Sequence, residues 1–135
     1  MTFAMSPRVL RAVLWADAAS GAATALLHFA LPDVLAPWFG LAPSLLLASA
    51  VALVAYVVLA ASLASRPARP RAAVLVLAFG NIAWAIACLA LLFAGVASTA
   101  MGQAYLVVQA VAVGVLGEVQ WLAVRRPAGG RPAFE

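Results

Sequence analysis

An all-α bundle of four membrane-spanning helices is the fold class this sequence predicts, and three observations predict it. Hydrophobic residues make up 67% of the chain and charged residues only 9%, where a soluble domain carries about 25%. Residues 34 to 65 and 72 to 117 contain no charge at all. All eight cationic residues are Arg, and they fall in three places only: before the first apolar run, between the two uncharged stretches, and after the second. Too few polar side chains are present to cover a water-facing surface, so lipid must be the solvent for most of it. At 135 residues one domain is expected.

The elements follow in order. Crossing the hydrocarbon core takes about 20 residues of helix. The first span reads from residue 9 to 31, after Arg8 and Arg11. Asp17 interrupts its apolar run early and the run continues to Leu31, which fits a retained helix better than a cleaved signal peptide. Residues 32 to 40 read as a loop with two prolines, a glycine and the interfacial Trp38. The second span covers 44 to 65, and the linker Arg66-Pro67-Ala68-Arg69-Pro70-Arg71 ends it, because Pro cannot continue the hydrogen-bond ladder. The stretch from Gly95 to Thr99 separates a third span, 72 to 94, from a fourth, 100 to 124. The tail, residues 125 to 135, is rich in Pro and Gly and reads as a disordered cytoplasmic extension. With four spans, every Arg lies on one side, and the positive-inside rule makes that side cytoplasmic. The expected location is a bacterial inner membrane, with both termini cytoplasmic. The Ala- and Arg-rich, Lys-free composition fits GC-rich coding.

The two halves are weakly alike. Asp17 in the first matches Asn81 in the second, and Arg66-Pro67-Ala68 matches Arg126-Pro127-Ala128. Two tandem helical hairpins would leave this trace; so would chance alignment of Ala/Leu/Val helices, and both origins stay open.

Several function classes lose support. The formal charge of +4 sits at span edges rather than on a basic stripe, so nucleic acid is not an expected partner. One cysteine, Cys88, excludes an intramolecular disulfide, and one histidine, His28, excludes a two-histidine metal site. No nucleophile–base pair or Gly-rich phosphate loop is present. No catalytic residue, cofactor or metal is expected.

Polar groups inside the bilayer are the informative ones, because each is costly there without a partner. Asp17 lies about 9 Å in from Arg11, Glu118 about 10 Å in from Arg125, and Asn81 about 15 Å in from Arg71, at 1.5 Å per residue. Asp17, Ser20, Gly21, Thr24 and His28 share one face of the first span. Asn81, Trp84, Ala85 and Cys88 share a face of the third; Gly102, Tyr105, Gln109, Leu116 and Gln120 one of the fourth; Ser49, Ala52 and Tyr56 one of the second. A polar seam through Asp17, Asn81, Gln109 and Tyr56 is the candidate site. Asp17 is either a proton- or cation-binding carboxylate, or a structural acid bonded to Asn81 or Ser20 or paired with Arg11. Glu118, the second acidic candidate, falls on the opposite face from Gln109, where it can reach an interfacial Arg or face a second subunit. Asn81 reads as helix–helix glue, His28 as a satisfied interfacial residue, Cys88 and Trp84 as core, and Trp38 and Trp121 as interface anchors.

These residues carry a resemblance. Asp17-x-x-Ser20-Gly21, Asn81-x-x-Trp84, Gly102, Gln109-Ala110, Glu118-x-Gln120 and Arg125-Arg126 resemble the pattern of uncharacterised small four-helix proteins of the bacterial inner membrane, over nearly the whole chain. The resemblance implies the topology and no activity. Small multidrug exporters share the size and a carboxylate in the first helix. The acid here is Asp17 rather than Glu, and the Arg bias is strong.

Two functions therefore lead the expectations for this chain, and a membrane enzyme or a lipid- or quinone-binding protein is a distant third. The first is a non-enzymatic accessory or scaffold membrane protein, a homo-oligomer or part of a larger membrane complex, with the lipid bilayer as its other partner. The alternative is a small proton- or cation-coupled transporter using Asp17.

Overall fold

The computed structural model describes residues 6 to 125, which fold as five helices. They are α1 (Pro7–Ala30), α2 (Pro32–Phe39), α3 (Pro43–Ser65), α4 (Arg71–Phe93) and α5 (Ala100–Val124). The described residues contain no strand. Of the expected disordered tail, residues 125 to 135, all but Arg125 lie outside the described residues.

Local chemistry sets the helix ends. At the start of α1, Ser6 Oγ accepts from the Val9 amide at 3.3 Å, with Pro7 in the first turn, where its missing N–H costs nothing. Pro also opens α2 and α3. Arg66 ends α3 in an extended conformation, φ −83° and ψ 142°, as the clash with the following Pro67 requires. Thr99 caps α5, its Oγ1 accepting from the Gly102 amide at 3.0 Å.

The segment expected to be a loop is the one departure. Residues 32 to 39 form α2 instead. Pro32 suits the first turn, Asp33 complements the helix N-terminus, and Gly40 closes the helix in the left-handed region at φ 59°. Pro37, the sixth of its eight residues, removes one ladder bond.

Four helices, α1, α3, α4 and α5, are long and apolar enough to cross a membrane. At 23 to 25 residues each they run about 35–38 Å, enough for a hydrocarbon core of about 30 Å. Leu26, Val51, Val58, Phe79, Ile86 and Val108 are all more than half exposed. A water-soluble protein would bury such a belt; lipid solvates it. The chain is a multi-pass membrane protein.

Packing divides the bundle into two hairpins. α1 lies along α3 and α4 along α5, while the hairpins meet more sparingly through α1–α5 and α3–α4. The ring order is α1–α3–α4–α5. Leu14, Ala18, Ala60, Leu63, Ala64 and Leu77 form a core toward the Arg-bearing end. Leu41, Leu46, Cys88, Ala97, Leu106 and Ala110 form another toward the far end. The far end is also laced by backbone bonds. Thr99 Oγ1 donates to the Trp38 carbonyl at 2.6 Å, and the Ser98 amide donates to the Gly40 carbonyl at 3.3 Å. Gly102 lets α2 sit directly on α5, since a Cβ there would fall 1.8 Å from the Phe39 carbonyl oxygen.

Candidate functional site

The space between the hairpins holds two polar clusters, and the first is built around Asp17. On α1, Ser20 Oγ donates to the Asp17 carbonyl and Thr24 Oγ1 to the Ser20 carbonyl, both at 3.0 Å. These hydroxyls are thereby satisfied within their own helix. The Asp17 carboxylate, only 2% exposed, finds its partners across the bundle. Its Oδ2 accepts from Tyr56 Oη of α3 at 2.5 Å, from Asn81 Nδ2 of α4 at 2.9 Å, and from Gln120 Nε2 of α5 at 2.5 Å. One oxygen thus receives a donor from each of the other three spanning helices. Asn81 Nδ2 also leans toward Gln120 Oε1 at 3.4 Å.

Small residues make this convergence fit. A Cβ at Gly80 would lie 3.2 Å from the Tyr56 ring, so glycine gives that ring its place between α3 and α4. A Cβ at Gly117 would lie 2.9 Å from the Ala78 carbonyl oxygen and 3.1 Å from Asn81 Cβ. Glycine there brings α5 close enough to α4 for Gln120 and Asn81 to share the carboxylate.

Asp17 Oδ1 differs from its twin. No described side chain donates to it, yet no buried side-chain oxygen or nitrogen among the described residues lacks a partner. Oδ1 therefore keeps open surface, and Asp17 lines a cavity of about 220 Å³. Ser20, Thr24, Tyr56, Trp84 and Gln109 line the same cavity.

The second cluster lies toward the far end. His28 Nδ1 stands 2.7 Å from Ser49 Oγ, and Ser49 Oγ donates to the Leu46 carbonyl at 2.7 Å. Tyr105 Oη stands 2.9 Å from His28 Nε2, and Gln109 Nε2 donates to Tyr105 Oη at 3.3 Å. One set of proton positions satisfies every member. Ser49 spends its proton on Leu46, so His28 carries its own on Nδ1 and accepts from Tyr105 at Nε2. Phe39 of α2 stacks on the Tyr105 ring at 4.3 Å, which fixes the phenol from outside. A second cavity, about 200 Å³, lies beside this cluster and is lined by His28, Cys88 and Tyr105 among apolar neighbours. Trp84 and Gln109 line both cavities and stand where they meet.

The expected seam is thus divided. Asp17, Tyr56 and Asn81 come together, whereas Gln109 faces the same cavity but bonds to Tyr105. Gln120, which the sequence places on the Gln109 face but outside the candidate site, takes the place at the carboxylate. His28 lies in the last turn of α1, 4% exposed, with both ring nitrogens partnered. Glu118 is exposed. The Arg125 guanidinium near it lies over the Trp121 ring at 4.4 Å, and Arg11 lines a hollow with other Arg residues, away from the Asp17 clasp.

No known protein family, curated protein or solved structure matches this chain.

Proposed function

We propose that this chain is a non-enzymatic accessory or scaffold protein of the bacterial inner membrane, with both termini cytoplasmic. The carrying observation is the triple hydrogen bond to Asp17 Oδ2 from three different helices. In the bilayer a carboxylate used in this way fixes register and holds two sparingly packed hairpins as one unit. Such a role fits a protein whose working surface is its outside, offered to lipid, to a second copy or to a larger complex. Membership of a family of small four-helix membrane proteins belongs to the same reading. The test is purification from native membranes in mild detergent, with mass spectrometry of the intact particle. The reading expects a stoichiometric partner or a defined homo-oligomer. A bare monomer without any partner counts against it.

A second reading has its own observation. Asp17 lines a cavity with Ser20, Thr24 and Gln109, and its Oδ1 has no side-chain donor among the described residues, as a site for a proton or small cation would need. Under this reading the protein is a small proton- or cation-coupled carrier. Proteoliposomes decide it. Cation or proton flux above that of empty vesicles, lost in Asp17→Asn, favours the carrier, and flux equal to empty vesicles rejects it.

A further inference from the structure

At the Arg-bearing end, α1 and the linker between α3 and α4 border an open surface hollow of about 280 Å³. Its lining includes Arg8, Arg11, Arg66 and Arg69, with Ser65 beside them and no acidic residue among the described residues. The positive-inside rule explains why Arg residues occur at this end of the bundle. It does not explain why four of them, from two segments far apart in sequence, surround one space. Like charges brought together this way repel each other unless an anion sits among them.

Two features make the hollow more than a charged surface. Arg69 is anchored: its Nε donates to the Leu63 carbonyl at 3.1 Å and its Nη2 to the Ala64 carbonyl at 3.2 Å. It caps the end of α3 and still has N–H groups to offer. On α1, Arg8, Arg11 and Trp15 follow at i, i+3 and i+7, so they share one face. Trp15 is 43% exposed, and the face continues past it to the exposed Ala19 and Leu26. The hollow therefore opens onto a helix face that runs from guanidinium through an aromatic ring to aliphatic surface. This is the profile of a phospholipid read from head group to chain.

We propose that this hollow binds the phosphate of an anionic membrane phospholipid, with Arg8, Arg11 and Arg66 as its ligands, Arg69 as its fixed wall, and Trp15 beside the glycerol and upper chain. Planar guanidinium groups are suited to phosphate oxygens, which they can grip with paired N–H donors.

The experiment is intact-particle mass spectrometry of the full chain in mild detergent, offered mixed phosphatidylglycerol and phosphatidylcholine. The unaltered protein is expected to retain phosphatidylglycerol selectively. Arg8→Gln with Arg66→Gln should lower that retention by about tenfold or more. Arg71→Gln with Arg125→Gln removes the same charge outside the hollow and should change it by less than about twofold. An equal loss in both pairs overturns the proposal, since it would mean unspecific attraction. A salt titration of the unaltered protein covers the case in which the first pair fails to fold: selective retention unchanged up to about 1 M NaCl, where screening is nearly complete, overturns it as well. Inorganic phosphate, tried alone, separates the two sources of the group. Binding of inorganic phosphate without selective lipid retention overturns the lipid assignment. Lipid retention that falls in Trp15→Ala supports it.

Discussion

Replacing Asp17 with Ala removes the acceptor on which Tyr56, Asn81 and Gln120 converge. Two of these donors belong to buried residues, Asn81 at 3% and Gln120 at 0% exposure, so water does not readily replace the lost oxygen. Hydrogen bonds between membrane helices are worth about 0.6 kcal/mol on average and up to about 1.7, so three of them amount to about 2–5 kcal/mol. Asp17→Asn can keep an acceptor oxygen in the place of Oδ2 for all three donors, but a neutral amide oxygen accepts more weakly than a carboxylate oxygen; about 1–2 kcal/mol is expected. The assay is unfolding in mixed micelles at rising SDS fraction, followed by tryptophan fluorescence, to which Trp84 in the cavity wall contributes. The expected order of stability is parent, then Asn, then Ala. A double-mutant cycle between Asp17→Ala and Gln120→Leu should return a coupling of about 0.6–1.7 kcal/mol. An Ala variant within about 0.5 kcal/mol of the parent, or a cycle without coupling, refutes the clasp.

Other consequences are checked in the same way. Gly102→Ala must push α2 off α5, because its Cβ would meet the Phe39 carbonyl oxygen; a loss of about 1–3 kcal/mol or more is expected in the SDS assay. Gly114→Ala is the contrast: its Cβ would make an ordinary 3.9 Å contact with Ala85, so helix propensity dominates and stability should hold or rise by up to about 1 kcal/mol. Tyr105→Phe leaves His28 Nε2 without its donor and Gln109 without its acceptor, and should cost about 1 kcal/mol. A fluorescent protein fused after Glu135 should fluoresce, and alkaline phosphatase fused there should stay inactive. The reverse pair of results rejects the cytoplasmic assignment of the termini.

The long helices were legible because two signals agree on them: uncharged length and Arg-Pro punctuation. The helix at 32 to 39 was not, because two prolines and a glycine read equally as a loop. What decides for helix is their spacing, with Pro32 in a first turn and Gly40 just past the end. At the site, Asp17, Asn81 and Tyr56 were legible from the cost of polar groups in lipid and from a shared face. Choosing Gln109 over Gln120 was an error of depth. Eleven residues apart, the two share a helix face, but only Gln120 lies within about two residues' rise of the level of Asp17, counted from the Arg residues. The pairing of Tyr105 with His28 was less visible, since it needs the fold to bring α5 against α1. Glu118 lies off the seam, because two residues from Gln120 is more than half a turn, and it is exposed.

Scaffold and carrier differ most in what they ask of the clasp. A carrier that alternates by parting the hairpins must break the two bonds to Oδ2 that cross between them, from Asn81 and Gln120, while the Tyr56 bond stays within the α1–α3 hairpin. At about 1.2–3.4 kcal/mol for those two, the parted form is populated at roughly one part in eight to one in about three hundred. The protein contains one cysteine to report on that opening. Cys88 is 6% exposed and lines the cavity at the far end of the space between the hairpins. A maleimide reagent reaches it only when that space opens. If Asp17 holds the hairpins together, Asp17→Asn should speed labelling in mild detergent by about 3- to 10-fold, the factor equivalent to the two thirds of its expected 1–2 kcal/mol that falls on the bonds between the hairpins. A rate equal to that of the parent, in a variant whose SDS stability has fallen, means that the far-end bonds of Trp38 and Thr99 keep the hairpins joined when the clasp is gone. Opening would then be confined to the Arg-bearing end. Asp17 would be a local fastening, and the case for whole-hairpin movement would fail with it.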